Sequence, residues 1–445
     1  MEGLIMTAQI LLSLSILVGL HEAGHLLAAK WFGMRVEQFS IGFPPKIFAF
    51  KYGETEYALS SIPLGGYVKI SGMIDESLDT EKMKEPPQPW EFRSKPAWQR
   101  LIVMLGGIVV NVITGIFIFV FITYIYGDKF TPKEEINDKG GIMALDLADE
   151  LGLETGDKIV KINGNDFKYF EDIVNPNVLL SDDPYYTVDR AGTMVDIKIP
   201  GNFIERFNDK EAASNFVIRR LPSTIGAVSD TSIAKKIGLK PGDKFVEVDG
   251  IPVGYFDEIQ VILDDYEKDS LSFKVDREGK ILAYNEYFAN DSLIGFSPQY
   301  TPPNYEVIKY SFGQSIPLGT DRAFGIVFLQ LKAFGKMFSG ELNPAKSIAG
   351  PIKIAGAFGG NWEWQRFWRL TGFLSMVLAF MNLLPIPALD GGHVMFLTYE
   401  MISGRKPSDG FLTGAQKVGM LLLLSLMVFV IFKEIYEVSN LGQYF

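Results

Sequence analysis

Four apolar stretches, residues 4–29, 101–126, 368–402 and 414–436, constrain this chain more than any other feature. Each approaches or exceeds the roughly 20 residues that a helix needs to cross the hydrocarbon of a bilayer. Hydrophobic residues make up 47% of the 445 positions. The pattern predicts a multi-pass α-helical membrane protein with four transmembrane helices. A fifth stretch, 324–338, carries Lys332 and Lys336 and is too short to span, so it is expected as an amphipathic helix at the surface. The third stretch is interrupted by Pro385, Pro387, Gly391 and Gly392. Irregular backbone persists at membrane depth only when it is buried in protein or faces a wet cavity, so this break marks a candidate site.

Orientation follows from the basic residues. Between the first two stretches lie Lys30, Arg35, Lys46, Lys51, Lys69, Lys82, Lys84, Arg93, Lys95 and Arg100, and between the last two lie Arg405 and Lys406. Cytosolic loops carry such an excess, which puts both termini outside the cytosol. The tryptophans, Trp31, Trp90, Trp98, Trp362, Trp364 and Trp368, cluster near the expected membrane boundaries. The first stretch is too long for a cleavable signal and reads as a retained helix. A net charge of −11 argues against a nucleic-acid partner.

Between the second and third spans sits a polar insertion of roughly 240 residues, far longer than a connecting loop. It contains a repeat: the segment 151–164, LGLETGDKIVKING, recurs without gaps 86 residues later as 237–250, IGLKPGDKFVEVDG. In each copy a short helical run ends at a glycine, a Gly-Asp turn follows, and an alternating strand closes on Asn-Gly or Asp-Gly. The pattern resembles PDZ domains, which bind extended peptides by adding a strand. Residues 36–73 read as four strands separated by turns at Pro44-Pro45 and Leu64-Gly65-Gly66.

The chain has no cysteine and only three histidines, His21, His25 and His393, so any bound metal is held by imidazole and carboxylate. Residues i and i+4 share a helix face, so His21 and His25 present two imidazoles to one ion with Glu22 beside them. Ionisable groups inside an apolar span are costly and point to function. A catalytic zinc takes three protein ligands and leaves a position for water. The first and third spans run in the same direction, which brings Asp390 to the depth of the histidines, with His393 as the competing ligand. His21 lies nine residues before Lys30, about 13 Å from the cytosolic end by helical rise.

The His21-Glu-Ala-Gly-His25 helix, the segment Asn382-Leu-Leu-Pro-Ile-Pro-Ala-Leu-Asp-Gly391 and the two PDZ-like copies between them resemble the site-2 protease family of intramembrane zinc metalloproteases, bacterial RseP type. Pro63-Leu-Gly-Gly-Tyr-Val-Lys69, Phe92-Arg-Ser-Lys-Pro-Ala-Trp-Gln-Arg100 and Gly350-Pro351-Ile352 are also similar to that group. Two departures stand out: Phe43-Pro44-Pro45 follows Gly42 where the family often has Gly-x-Gly, and a Gly-Pro-x-x-Asn pattern appears here as Gly107-Ile-Val-Val-Asn111.

The resemblance implies that His21, His25 and Asp390 bind Zn2+, that Glu22 is the catalytic base, and that Asn382 holds substrate. It favours Asp390 over His393. It also implies a membrane-associated β-sheet around Gly66 and Tyr67 whose edge holds substrate extended. The implied division is 1–30 (first span), 31–97 (cytosolic-side β region), 98–127 (second span), 128–220 and 221–305 (PDZ-like, α+β), 306–366 (linker), 367–402 (third span) and 413–436 (fourth span). The implied setting is the bacterial inner membrane, in contact with lipid, with the PDZ-like copies outside the cytosol and the active site toward its cytosolic side. Substrates would be single-pass transmembrane proteins already trimmed outside, such as an anti-sigma factor or remnant signal peptides.

Overall fold

The computed structural model describes residues 2–73, 86–208, 216–230, 232–264, 266, 270–287 and 294–441, which leaves Lys82 and Lys84 outside the described residues. The chain forms two compact units, one of residues 1–128 with 308–445 and one of residues 129–307.

The first unit is a helical bundle. Its longer helices are α1 (Glu2–Trp31), α2 (Ala97–Tyr126), α3 (Phe312–Phe338), α4 (Pro351–Phe358), α5 (Trp364–Leu383), α6 (Asp390–Ser403) and α7 (Asp409–Leu441). Among the described residues, three segments are long and apolar enough to cross a membrane by length and composition: Glu2–Trp31, Ala97–Tyr126 and Asp409–Tyr436. The stretch 368–402, expected as a further span interrupted at its prolines and glycines, forms the separate helices α5 and α6 joined by residues 384–389. Proline disfavours helical backbone in the residue before it, and Leu384, before Pro385, is extended at φ −61° and ψ 142°.

The expected short helix at 324–338 is also different. It begins at Phe312 and runs 27 residues. Its start is fixed by a reciprocal cap, in which Ser311 Oγ accepts from the Gln314 N–H and Gln314 Oε1 accepts from the Ser311 N–H. It packs on α2, where a Cβ at Gly319 would fall 2.5 Å from the Val120 nitrogen, and Phe334 meets Phe380 of α5.

Helices α1 and α2 approach through glycine. A Cβ at Gly106 would fall 2.6 Å from the Gly24 carbonyl oxygen, and one at Gly24 would run into the Gly106 carbonyl. Backbones this close leave no room for side chains between them. Leu26, Ala29, Val103 and Met104 fill the core beside the contact, with Val36 and Ile70 from the adjoining sheet.

That sheet comes from two long bent strands, β1 (Val36–Tyr52) and β2 (Thr55–Ile70). Their register makes four antiparallel segments. Lys51 pairs with Glu56, Gln38 pairs with both Glu56 and Lys69, and Ile41 with both Leu59 and Gly66. Residues 36–41 are therefore central and residues 66–70 form an edge.

In the second unit each repeat builds the same sheet. Strands Asn165–Asp166, Lys158–Ile162, Tyr185–Arg190 and Thr193–Lys198 lie in that order in the first copy. Ile251–Pro252, Lys244–Val248, Ser270–Arg277 and Lys280–Tyr287 do so in the second. The preceding helices, Asp146–Leu151 and Ile233–Lys236, are followed by Gly152 and Gly238 at φ +87° and +79°, the left-handed conformation that glycine reverses a chain with. Separate cores, one around Ile159, Tyr186 and Val188 and one around Phe245, Phe273 and Val275, hold the two copies.

Each copy is closed by an ionic latch. Arg190 Nε and Nη2 donate to the two carboxylate oxygens of Asp157 at 2.8 Å, and Nη2 also donates to the Gly152 carbonyl. Arg277 makes the same bonds to Asp243 at 2.6 Å and to the Gly238 carbonyl. Asp157 and Asp243 are each 1% exposed, so the bidentate guanidinium is what makes their burial tolerable.

Candidate active site

Helical periodicity puts His21 and His25 on one face of α1, and the α1–α2 approach turns that face inward, leaving both buried. The break after α5 returns the chain so that Asp390, first residue of α6, meets them. Asp390 Oδ2 lies 3.1 Å from His21 Nε2 and 3.3 Å from His25 Nε2, and the two Nε2 atoms are 3.2 Å apart. A tetrahedral zinc with bonds of roughly 2.0–2.1 Å sets its ligands about 3.3 Å apart. The three donors therefore already have the spacing of one face of that tetrahedron.

The outer hydrogen bonds fit a metal as well. His25 Nδ1 donates to the Val103 carbonyl at 2.8 Å, which leaves its Nε2 as a lone pair. His21 Nδ1 is 3.2 Å from the Asn111 amide nitrogen, while Asn111 Oδ1 is buried without a partner. Exchanging the two amide ends lets Oδ1 accept the Nδ1 proton, so His21 too presents a bare Nε2. Asp390 Oδ2 is buried and accepts no hydrogen bond. Three inward-facing lone pairs in one buried place call for a cation.

Gly107 makes room for them: a Cβ there would fall 2.5 Å from His25 Nε2 and 2.6 Å from His21 Cε1. On the other side, a Cβ at Gly391 or Gly392 would meet the backbone of residues 383–387, which folds the loop tightly onto α6. Ala388 takes φ +89° in this loop, a conformation an alanine rarely adopts, two residues before the carboxylate.

A cavity of about 670 Å3 opens onto the cluster. Glu22, Asn382, Gly66, Tyr67 and His393 all line it. Asn382 Nδ2 is 3.4 Å from His21 Nε2, at the threshold of the donor cluster. The Glu22 carboxylate faces the backbone of Val68 in the sheet's edge segment. Gly66 permits that approach, because a Cβ there would fall 2.7 Å from the Ser40 carbonyl and 3.5 Å from Glu22 Cγ. His393 borders the cavity but does not belong to the converging set of His21, His25 and Asp390.

Sequence reasoning met Gly107 and Asn111 only as a departure from the family pattern and gave them no role, and it passed over Val103 and two further amides on the cavity wall, Gln38 and Gln416. For Asn111 a signal was present: one amide in a stretch otherwise fit for lipid, fully buried here. The roles of Gly107 and of the Val103 carbonyl depend on which helix lies opposite, and no single-segment pattern encodes that.

A buried two-histidine, one-carboxylate set beside a glutamate defines a zinc metalloprotease site. The chain belongs to peptidase family M50, whose family model matches residues 9–426. It is 31% identical to the regulator of sigma E protease of Haemophilus influenzae, covering 95% of this chain and 97% of that one. It is 28% identical to the regulator of sigma-E protease RseP of Escherichia coli, over 96% and 97%. It is 27% identical to a protein of Neisseria meningitidis named as a putative zinc metalloprotease, over 94% and 96%. The enzyme is accordingly a zinc metalloprotease.

Proposed function

We propose that this enzyme hydrolyses peptide bonds within transmembrane segments of other membrane proteins. The observation that carries the reading is the triad of donors at 3.1–3.3 Å, opening with Glu22 onto a cavity inside a bundle of apolar helices.

In this reading His21, His25 and Asp390 hold zinc, which when bound polarises the scissile carbonyl and acidifies the attacking water. Glu22 takes the water's proton and delivers it to the departing amine, so no covalent intermediate is needed. The Glu22 carboxylate would lie beside the edge segment 66–70, next to the strand a substrate pairs with. A substrate helix hides its carbonyls in its own hydrogen bonds and must unwind to be cut. Pairing along Gly66 and Tyr67 would replace the bonds it gives up, and Asn382 would hold the strand near the metal.

The basic loops support an orientation with both termini and the insert outside the cytosol, in a bacterial inner membrane, with α5 and α6 together serving as a fourth crossing. The repeats, read as PDZ-like modules, would restrict access to substrates already trimmed outside. The relatives named as regulators of sigma E suggest an anti-sigma factor as one substrate, with remnant signal peptides as another. Purified enzyme in lipid, given a single-pass substrate, tests the central claim: Glu22→Gln should keep its zinc and stop cleavage, and cleavage at the normal rate would defeat the reading. Removal of residues 128–301 should extend cleavage to untrimmed substrates; unchanged selectivity would exclude a filter.

A further inference from the structure

An extended substrate strand carries backbone N–H and C=O groups on both of its edges. The segment 66–70 can satisfy only the groups on one of them. Those on the other edge would lie in a water-poor cavity, where an unpaired amide group costs on the order of several kcal/mol. Something else in the wall must meet them.

Gln416 of α7 lines the same cavity as the donor cluster and is 4% exposed. It makes no hydrogen bond among the described residues, whereas the neighbouring hydroxyls of α7, Thr413 and Ser425, bond back to the carbonyls of Asp409 and Leu421. Its place is fixed by the helix contact three residues on. A side chain at Gly419 would run into the Pro387 carbonyl, so α7 is seated directly on the loop that carries Asp390. An unused primary amide, with both a donor and an acceptor, is thus held within the wall of the catalytic cavity.

We propose that Gln416 is a substrate-positioning residue, whose amide bonds the backbone groups of the unwound segment that the edge strand leaves unpaired. A carboxamide suits this task because it matches a peptide group in both donor and acceptor and carries no charge that would need desolvation. The inference rests on the proposed intramembrane cleavage.

The chain has no cysteine, so contact can be tested directly. In the Glu22→Gln background, Gln416→Cys should form a disulfide with single cysteines placed through the unwound part of a transmembrane substrate, whereas Leu422→Cys, on the exposed side of the same helix, should not. With Glu22 restored, Gln416→Leu should lower the cleavage rate about tenfold, the value of one lost hydrogen bond near 1.4 kcal/mol. Zinc content and melting temperature should not change, and Gln416→Asn should recover part of the rate. The inference fails alone if wild type cleaves, Glu22→Gln does not, and Gln416→Leu cleaves like wild type or position 416 crosslinks no more than 422. A rate loss accompanied by lost zinc or stability would also overturn it in favour of a purely structural amide. If wild type cuts no membrane-embedded substrate, both this inference and the underlying reading fall.

Discussion

The metal centre and the duplicated insert solve the same problem, a charge removed from water, in opposite ways. In the insert the answer is generic and used twice: a bidentate arginine closes over Asp157 and again over Asp243, with the same third bond to a glycine carbonyl. At the proposed metal centre the donors come from separate helices, α1 and α6, and glycines let the backbones around them approach closely. A repeated latch tolerates local change because each module has its own core. A site assembled across α1, α2 and α6 has no such reserve.

That contrast can be broken or sharpened experimentally, and the largest effect should fall on the site. Glu22→Gln should reduce peptidase activity by about 10³-fold or more with zinc retained, read by rate and metal content together. Next, Gly107→Ala and Asn111→Leu should each lower zinc affinity roughly 10- to 100-fold by disturbing the imidazoles they support, measured by competition with a chelator. Arg277→Met should destabilise the second module by about 3 kcal/mol, because it strands a buried carboxylate, and should leave zinc content alone; limited proteolysis would report it. Arg190→Met should do the same to the first module, and a change in zinc content from either variant would erase the distinction drawn above.

The latch also predicts a pH response. Burial opposes the charge on Asp243, but the Arg277 bonds and the backbone N–H of Lys240 outweigh it and hold the carboxyl below its ordinary value. A carboxyl lowered in the folded state contributes stability that is full above its unfolded pKa, about 3.9. That contribution is lost as pH falls below this value through the folded pKa. The midpoint for unfolding of the second module should therefore drop at acid pH, and the acid-sensitive part should vanish in Asp243→Asn. The smallest effect is expected at Lys46 and Glu56, an exposed pair on the sheet, where removing either should cost less than about 1 kcal/mol.

Much of the fold was legible. The spacing of His21, Glu22 and His25 requires only helical periodicity to become a site, and the repeat announced two like modules. Asp390 was harder, since its ring of partners depends on two chain segments meeting at one depth. The break in the third stretch was legible from its prolines and glycines, and the structure divides the stretch there into α5 and α6. The long α3 was underestimated because its first half is polar enough to look like linker, while the cap at Ser311 and Gln314 and the packing of Gly319 on α2 secure it. The roles of Gly107 and Val103 could not be read because their value lies in what the opposite helix brings, and a linear pattern has no term for that.

Ala388 carries one more implication. Its left-handed backbone is a standing bias toward a different loop shape, opposed by the tight seating of Gly391, Gly392 and Gly419 around it. The two histidines sit within helix α1, so of the three donors the carboxylate alone lies beside a strained loop residue. Exchange of the ion should accordingly begin with Asp390 swinging away, and Ala388→Gly, by removing the bias, should slow that exchange.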